Sequence, residues 1–306
     1  MNNNGLSVPD RGAHVAKEFG IEAALDRRIG RTVTTAAPAP VLPGIAHTAL
    51  ISPKERELSD PFLLLSDDRI DGRQGARVGA AHPHAGMESA TLLLEGSIQD
   101  GDATPLQAGD LQWMTAGSGI VHDEAVIARG SVRLLQLWIT LPHERRWTAP
   151  GFQDVHLDSL PIRSEPGVVV RLYSGRSGAL ISPTRNQVPV TLADFLLEAG
   201  SRVDQELPAS YNGLLYLLDG SVRVGADELR AGQVSWLDRP PREGPSNLHL
   251  IAGESGARLI LYAGEPQSTR VVMQGPFIGE ALADISRLYE EHRQGRFPHM
   301  SDLAHP

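Results

Sequence analysis

Two stretches of this chain repeat each other, and that repeat constrains the fold more than any other feature. LLLEGSI at 92–98 resembles YLLDGSV at 216–222, and LQAGDLQWM at 106–114 resembles LRAGQVSWL at 229–237. Each copy runs through the same order: strand, acidic-Gly turn, strand, Ala-Gly turn, and a strand carrying Trp. The offset is 124 residues for the first pair and 123 for the second, a difference that one residue in a surface turn absorbs. The chain reads as a duplicated β domain.

Between about Thr48 and Glu265, short Val/Ile/Leu-rich runs are broken at close intervals by Gly, Pro, Asp and Asn, the pattern of an all-β sandwich or barrel. A length of 306 residues calls for two domains. Pro142, Pro150, Pro161 and Pro166 punctuate 141–168 and place the boundary there. The expected division is an N-terminal extension over 1–45, a first β domain over 46–145, a second over 168–275, and a helical tail over 276–306. Helices are expected only near the ends, at about Ala13 to Arg28 and from Gly279 to Gln294. In the latter, Ile278, Leu282, Ile285 and Leu288 recur at spacings of three or four, an apolar stripe that should dock on a domain surface.

Composition removes several kinds of chemistry. With no cysteine there are no disulfides, thiolate-bound metals, iron–sulfur clusters or thiol nucleophiles, so any metal must use His, Asp, Glu or backbone oxygen. A net charge of −9 with scattered basic residues argues against direct nucleic-acid binding. No window approaches the roughly 18 apolar residues of a membrane span, and positions 1–30 lack the apolar core of a signal peptide. A soluble, cytoplasmic protein is expected.

AHPHAGMES at 81–89 sets His82 and His84 two residues apart, and GSGIVHDE at 117–124 does the same with His122 and Glu124. In an extended strand alternate side chains share a face, so each pair can converge on one point. Three neutral nitrogens and one carboxylate oxygen suit one divalent transition metal: Fe(II), Mn, Co, Ni, Cu or Zn. Four protein ligands leave open positions for water, substrate or dioxygen. The other eight of the eleven histidines show no such pairing. Carried into the second copy by the repeat offsets, the four positions become Glu206, Pro208, Pro245 and Asn247, so the second half should bind no catalytic metal.

These segments identify a resemblance to the pirin family of two-cupin proteins. It is carried by HPHAGMES with LEG at 94–96, by GDLQWMTAGSGIVHDE at 109–124, by LQLW at 135–138, and by GEP at 264–266 followed by QGPF at 274–277. The resemblance implies two antiparallel jelly-roll (cupin) β-barrels in tandem, and the metal ligands already singled out. It also implies Fe(II), quercetin 2,3-dioxygenase activity in some members and transcriptional co-regulation in others. As an enzyme, the protein would act on a flavonol or related enolic aromatic and dioxygen, with Glu124 accepting the substrate's hydroxyl proton. The alternative is a metal-dependent regulator or redox sensor that engages a protein partner without turnover. Two positions depart from the family: Ala85 and Ser118 stand where Arg is common.

A second glutamate competes for the metal. Glu88 follows His84 at the spacing where many single-domain cupins place their ligand, and its parity with His82 and His84 does not exclude it. Gly86 between them marks a bulge that would rotate Glu88 away, whereas the step from His122 to Glu124 is short and glycine-free. Glu124 is therefore the expected ligand and Glu88 an outer residue. Trp113, Met114 and Trp138 are expected in the core, with lining of the metal cavity as the alternative. Gly117 and Gly119 are read as allowing a tight turn.

Overall fold

The computed structural model describes residues 24–51, 55–72, 77–78, 81–99, 105–122 and 126–303. Two large, almost wholly antiparallel sheets account for most of them. The first runs, in spatial order, through Gly151–Val155, Leu111–Thr115, Met87–Gln99, Val126–Thr140, Phe62–Gly72, Ile45–Ala49 and Ala39–Leu42. The second runs through Ile162–Glu165, Val168–Ser174, Val190–Leu197, Pro245–Gly264, Asn212–Val224, Gln233–Leu237 and Ile29–Thr34. The Pro-punctuated stretch 141–168 thus supplies one strand to each sheet.

The duplication is visible in strand register. Trp113 lies opposite Ala90 in the first half, and Trp236 lies opposite Leu214 in the second, so the partners keep the sequence offsets of 123 and 124. Both tryptophans turn into one shared apolar core, where Leu92, Leu135 and Leu137 of the first half meet Tyr173, Tyr216 and Tyr262 of the second. The barrels therefore pack face to face on the same strands of each copy. Polar contacts are duplicated as well. Arg133 is paired with the buried Asp67 at 2.6 Å, and Arg258 with the buried Asp194 at 2.9 Å. The Tyr216 hydroxyl donates to Asp67 Oδ2 at 2.7 Å, tying the second half to the ion pair of the first. A carboxylate of this kind withstands burial because its charge is paired and both oxygens accept hydrogen bonds.

The expected N-terminal helix does not reach Arg28; the part over 13–23 lies outside the described residues. Leu25–Asp26 is instead a short strand, parallel to Ser246 and Asn247. The cause is tertiary. The Arg27 side chain is buried and donates to the carbonyls of Pro208, Ala209, Tyr211 and Asp238 and to Ser246 Oγ. Five acceptors outweigh a local helix preference of well under about 1 kcal/mol per residue. Burial and then Arg239 push the Arg27 pKa down to about 10. Ile29–Thr34 then joins the second sheet and Ala39–Leu42 the first, so this segment straps the two halves together.

The C-terminal helix spans Leu282–Arg293 and starts later than expected because Phe277–Gly279 pairs as a strand with Val272–Gln274. Asp284 Oδ2 accepts the backbone N–H groups of Glu280 and Ala281 and fixes the start. Of the anticipated stripe, Ile285 and Leu288 are buried on the helix and Ile278 is buried just before it, but Leu282 is 69% exposed. Leu282 occupies the first helical position, past the strand and before the packed face. Leu288→Ala should cost about 2–5 kcal/mol, whereas Leu282→Ala should change stability by no more than about 0.5 kcal/mol. Thermal melts of the two variants test this, and equal losses would contradict the burial pattern. Among the described residues, no helix is long and apolar enough to cross a membrane.

Candidate metal centre

His82–His84 and Ile120–His122 form a separate two-stranded antiparallel ribbon, with His82 opposite His122 and His84 opposite Ile120. Paired residues in such a ribbon share a face, so all three imidazoles point the same way. Their ligand atoms lie within 4.8 Å of one another, the one potential metal-holding cluster among the described residues. The ring centroids of His82 and His84 are 4.6 Å apart, and the Trp138 ring meets His84 edge-on at 5.3 Å. Ile120 on the same face packs with Met87, Met114 and Phe152, which makes this the apolar interior of the first barrel.

The donor set fits a divalent cation. His84 is buried and its Nδ1 has no hydrogen-bond partner, an arrangement that is costly unless something binds there. Burial, with the neighbouring His82 and His122, holds the His84 imidazole well below its usual pKa, against an opposing contribution from the Pro276 backbone. The neutral ring is the form that ligates metal. Glu124 and Asp123 lie outside the described residues.

Glu88 is turned away from this cluster. Gly86, at φ +78°, lies in a break between the strand His82–His84 and the strand Met87–Gln99, which belong to different sheets. The expected change of direction thus comes from a strand break and not from a bulge within one strand. The fully buried Glu88 carboxylate accepts from Thr115 Oγ1 at 2.8 Å and from the Gln187 backbone N–H at 3.0 and 3.1 Å. Burial pushes its pKa up despite these donors. Since Gln187 belongs to the second half, Glu88 joins the two halves. Of the three residues weighed between core and cavity, Trp113 lies in the shared core and Met114 inside the first barrel, while Trp138 touches a histidine ring. Ala85 is wholly buried with Val121 on the face opposite the imidazoles. The side chain at 85 therefore meets the C-terminal tail rather than the histidine side.

In the second half, register and parity differ from what the repeat offsets imply. Pro208 lies opposite Pro245 and Glu206 opposite Asn247, and these side chains face outward. The inward positions are Gln205, Leu207, Ser246 and Leu248, all buried. A displacement of one residue in a strand exchanges its two faces. None of the four offers an imidazole or a carboxylate. His249 sits on the outer face, with Asp204 at 2.7 Å and Asp26 at 3.2 Å.

Arg146 was not singled out in the sequence. Its side chain is buried; Nη1 donates to the Gly86 carbonyl and Nε to Glu280 at 3.2 Å. No local signal marks it, because both partners are remote in sequence.

Comparison with known proteins agrees with this architecture. The family described as Pirin matches residues 46–139, and that described as Pirin C-terminal cupin domain matches 192–298. Pirin-like protein 2 of Arabidopsis thaliana is 32% identical over 257 residues, covering 80% of this chain and 78% of the relative. A Pseudomonas aeruginosa protein provisionally named a quercetin 2,3-dioxygenase is 32% identical over 256 residues, covering 78% of this chain and 86% of its own. A crystal structure of quercetin 2,3-dioxygenase from Acinetobacter baumannii superposes with a TM-score of 0.76 at 24% identity, covering 89% of this chain and 98% of that one. The last speaks to the fold.

Proposed function

The chain belongs to the pirin family, and from that premise we propose that it is a metal-dependent dioxygenase that cleaves a flavonol such as quercetin, or a related enolic aromatic. The observation that carries this reading is the convergence of His82, His84 and His122 on one point inside a barrel that has no other polar cluster of that kind among the described residues. These three would hold the metal by nitrogen, with Glu124 as fourth ligand and Fe(II) as the ion. When bound, the metal would supply Lewis acidity and a place for dioxygen beside the substrate oxygen.

The protein's own groups have defined tasks. His82 is the most open of the three histidines, so an aromatic substrate would enter on its side. Trp138, Met114 and Phe152 exclude water and offer apolar contact to its rings. Glu124 would accept the enolic hydroxyl proton at a carboxylate oxygen, leaving an electron-rich ring to react. We place this chemistry in the cytoplasm.

The test is an oxygen electrode. Protein loaded with Fe(II) and given quercetin should consume dioxygen in step with loss of the flavonol absorbance, and His84→Ala should abolish the uptake. Metal-loaded, folded protein that shows no uptake above free Fe(II) would sink the enzyme reading and leave the metal-dependent regulator in its place.

A further inference from the structure

Both strands of the histidine ribbon have an outer edge that the ribbon itself leaves unpaired. One C-terminal stretch covers both edges. The Ile278 N–H donates to the Ala85 carbonyl at 3.0 Å, beside a parallel bridge between Ala85 and Phe277. Twenty residues on, the Pro298 carbonyl accepts the Val121 N–H at 2.8 Å, beside a parallel bridge between Val121 and His299. The tail leaves the second half, runs along one edge, turns through the helix Leu282–Arg293 and returns along the other.

The approach is close enough to require glycine. A Cβ on Gly86 would stand 1.9 Å from the Ile278 carbonyl oxygen, and one on Gly119 would stand 2.3 Å from Cε1 of Phe297. Gly119 therefore does more than allow the tight turn read from the sequence; it admits an aromatic ring. Phe297 is buried with Ala85, Val121, Phe277, Ile285 and Leu288 on the back of the ribbon, opposite the imidazoles. Backbone displaced on that side carries the histidine rings with it. A metal site tolerates only about 0.5 Å of such displacement.

We infer that the C-terminal tail is the outer wall that sets the geometry of the metal ribbon, and that Phe297 is the positioning residue through which it acts. The inference rests on the reading of His82, His84 and His122 as ligands. It gives the half that lacks ligands a part in the site: the second domain supplies the clamp.

Titration with Co(II) reads both affinity and ligand geometry, the latter from the visible absorption bands. Phe297→Ala should weaken Co(II) binding about tenfold and shift those bands, and Phe297→Leu should recover most of both. If wild-type protein takes up no Co(II), the metal reading itself fails. If wild type binds and folded Phe297→Ala binds equally with an unchanged spectrum, the metal reading stands and the clamp is wrong. Should Phe297→Ala not fold, amide exchange in the wild-type chain decides. Tail docking and Co(II) binding are linked equilibria in this inference, so Co(II) must slow exchange in 277–279 and 297–303. Equal exchange with and without Co(II) would overturn the inference.

Discussion

Glu124→Gln should purify with a small fraction of the wild-type metal, its affinity reduced by more than roughly 100-fold, while Glu88→Gln keeps most of it. Groups that only support metal ligands are worth about 10–100-fold, so loss of a direct anionic ligand should exceed that range. Glu124 follows His122 by two residues, and it is the one anionic donor in the proposed set. Glu88 is already engaged: its carboxylate holds Thr115 Oγ1 and the Gln187 N–H. An amide oxygen can accept both bonds, so Glu88→Gln should leave the ribbon in place. Metal analysis of the two folded proteins decides. The reverse order would make Glu88 the ligand.

Asp194→Ala, far from the histidine ribbon, should be strongly destabilising. Its carboxylate is fully buried and receives Arg258 at 2.9 Å and Arg171 at 3.4 Å. Removing one partner of a buried pair leaves cationic groups without compensation, at a cost of about 3–5 kcal/mol. Both arginines retain some exposure, which favours the lower end. At about 2–4 °C per kcal/mol, the melting temperature should fall by about 10 °C. The more exposed pair Arg287–Glu291 is the comparison, and Glu291→Ala should melt close to wild type. An Asp194→Ala protein that melts with the wild type would show that the second sheet does not depend on this pair.

Several features were legible because they are local. A hairpin with an acidic-Gly turn is written in consecutive residues, and the paired registers of Trp113 with Ala90 and Trp236 with Leu214 follow from it. The shared face of His82 and His84 likewise needs only the two-residue period of a strand. The turning away of Glu88 could be anticipated from Gly86 alone.

Other features depended on partners far away in the chain. Leu282 fits the apolar spacing of its helix, yet the strand Phe277–Gly279 delays the helix start and leaves it exposed. Arg27 abandons a helical pattern for carbonyls more than 180 residues distant. In the second half, strand alternation correctly groups Glu206 with Pro208, but it cannot say which group faces inward; packing of Leu207 and Leu248 in the core decides that. The contacts of Phe297 and Ile278 with the ribbon segments have the same origin. The sequence by itself determined the duplicated strands and which residues share a face, because periodicity and turn chemistry act over a few residues. Tertiary structure alone decided which face is buried and what closes over it, because those contacts join segments whose loop-closure entropy is overcome only by the assembled core.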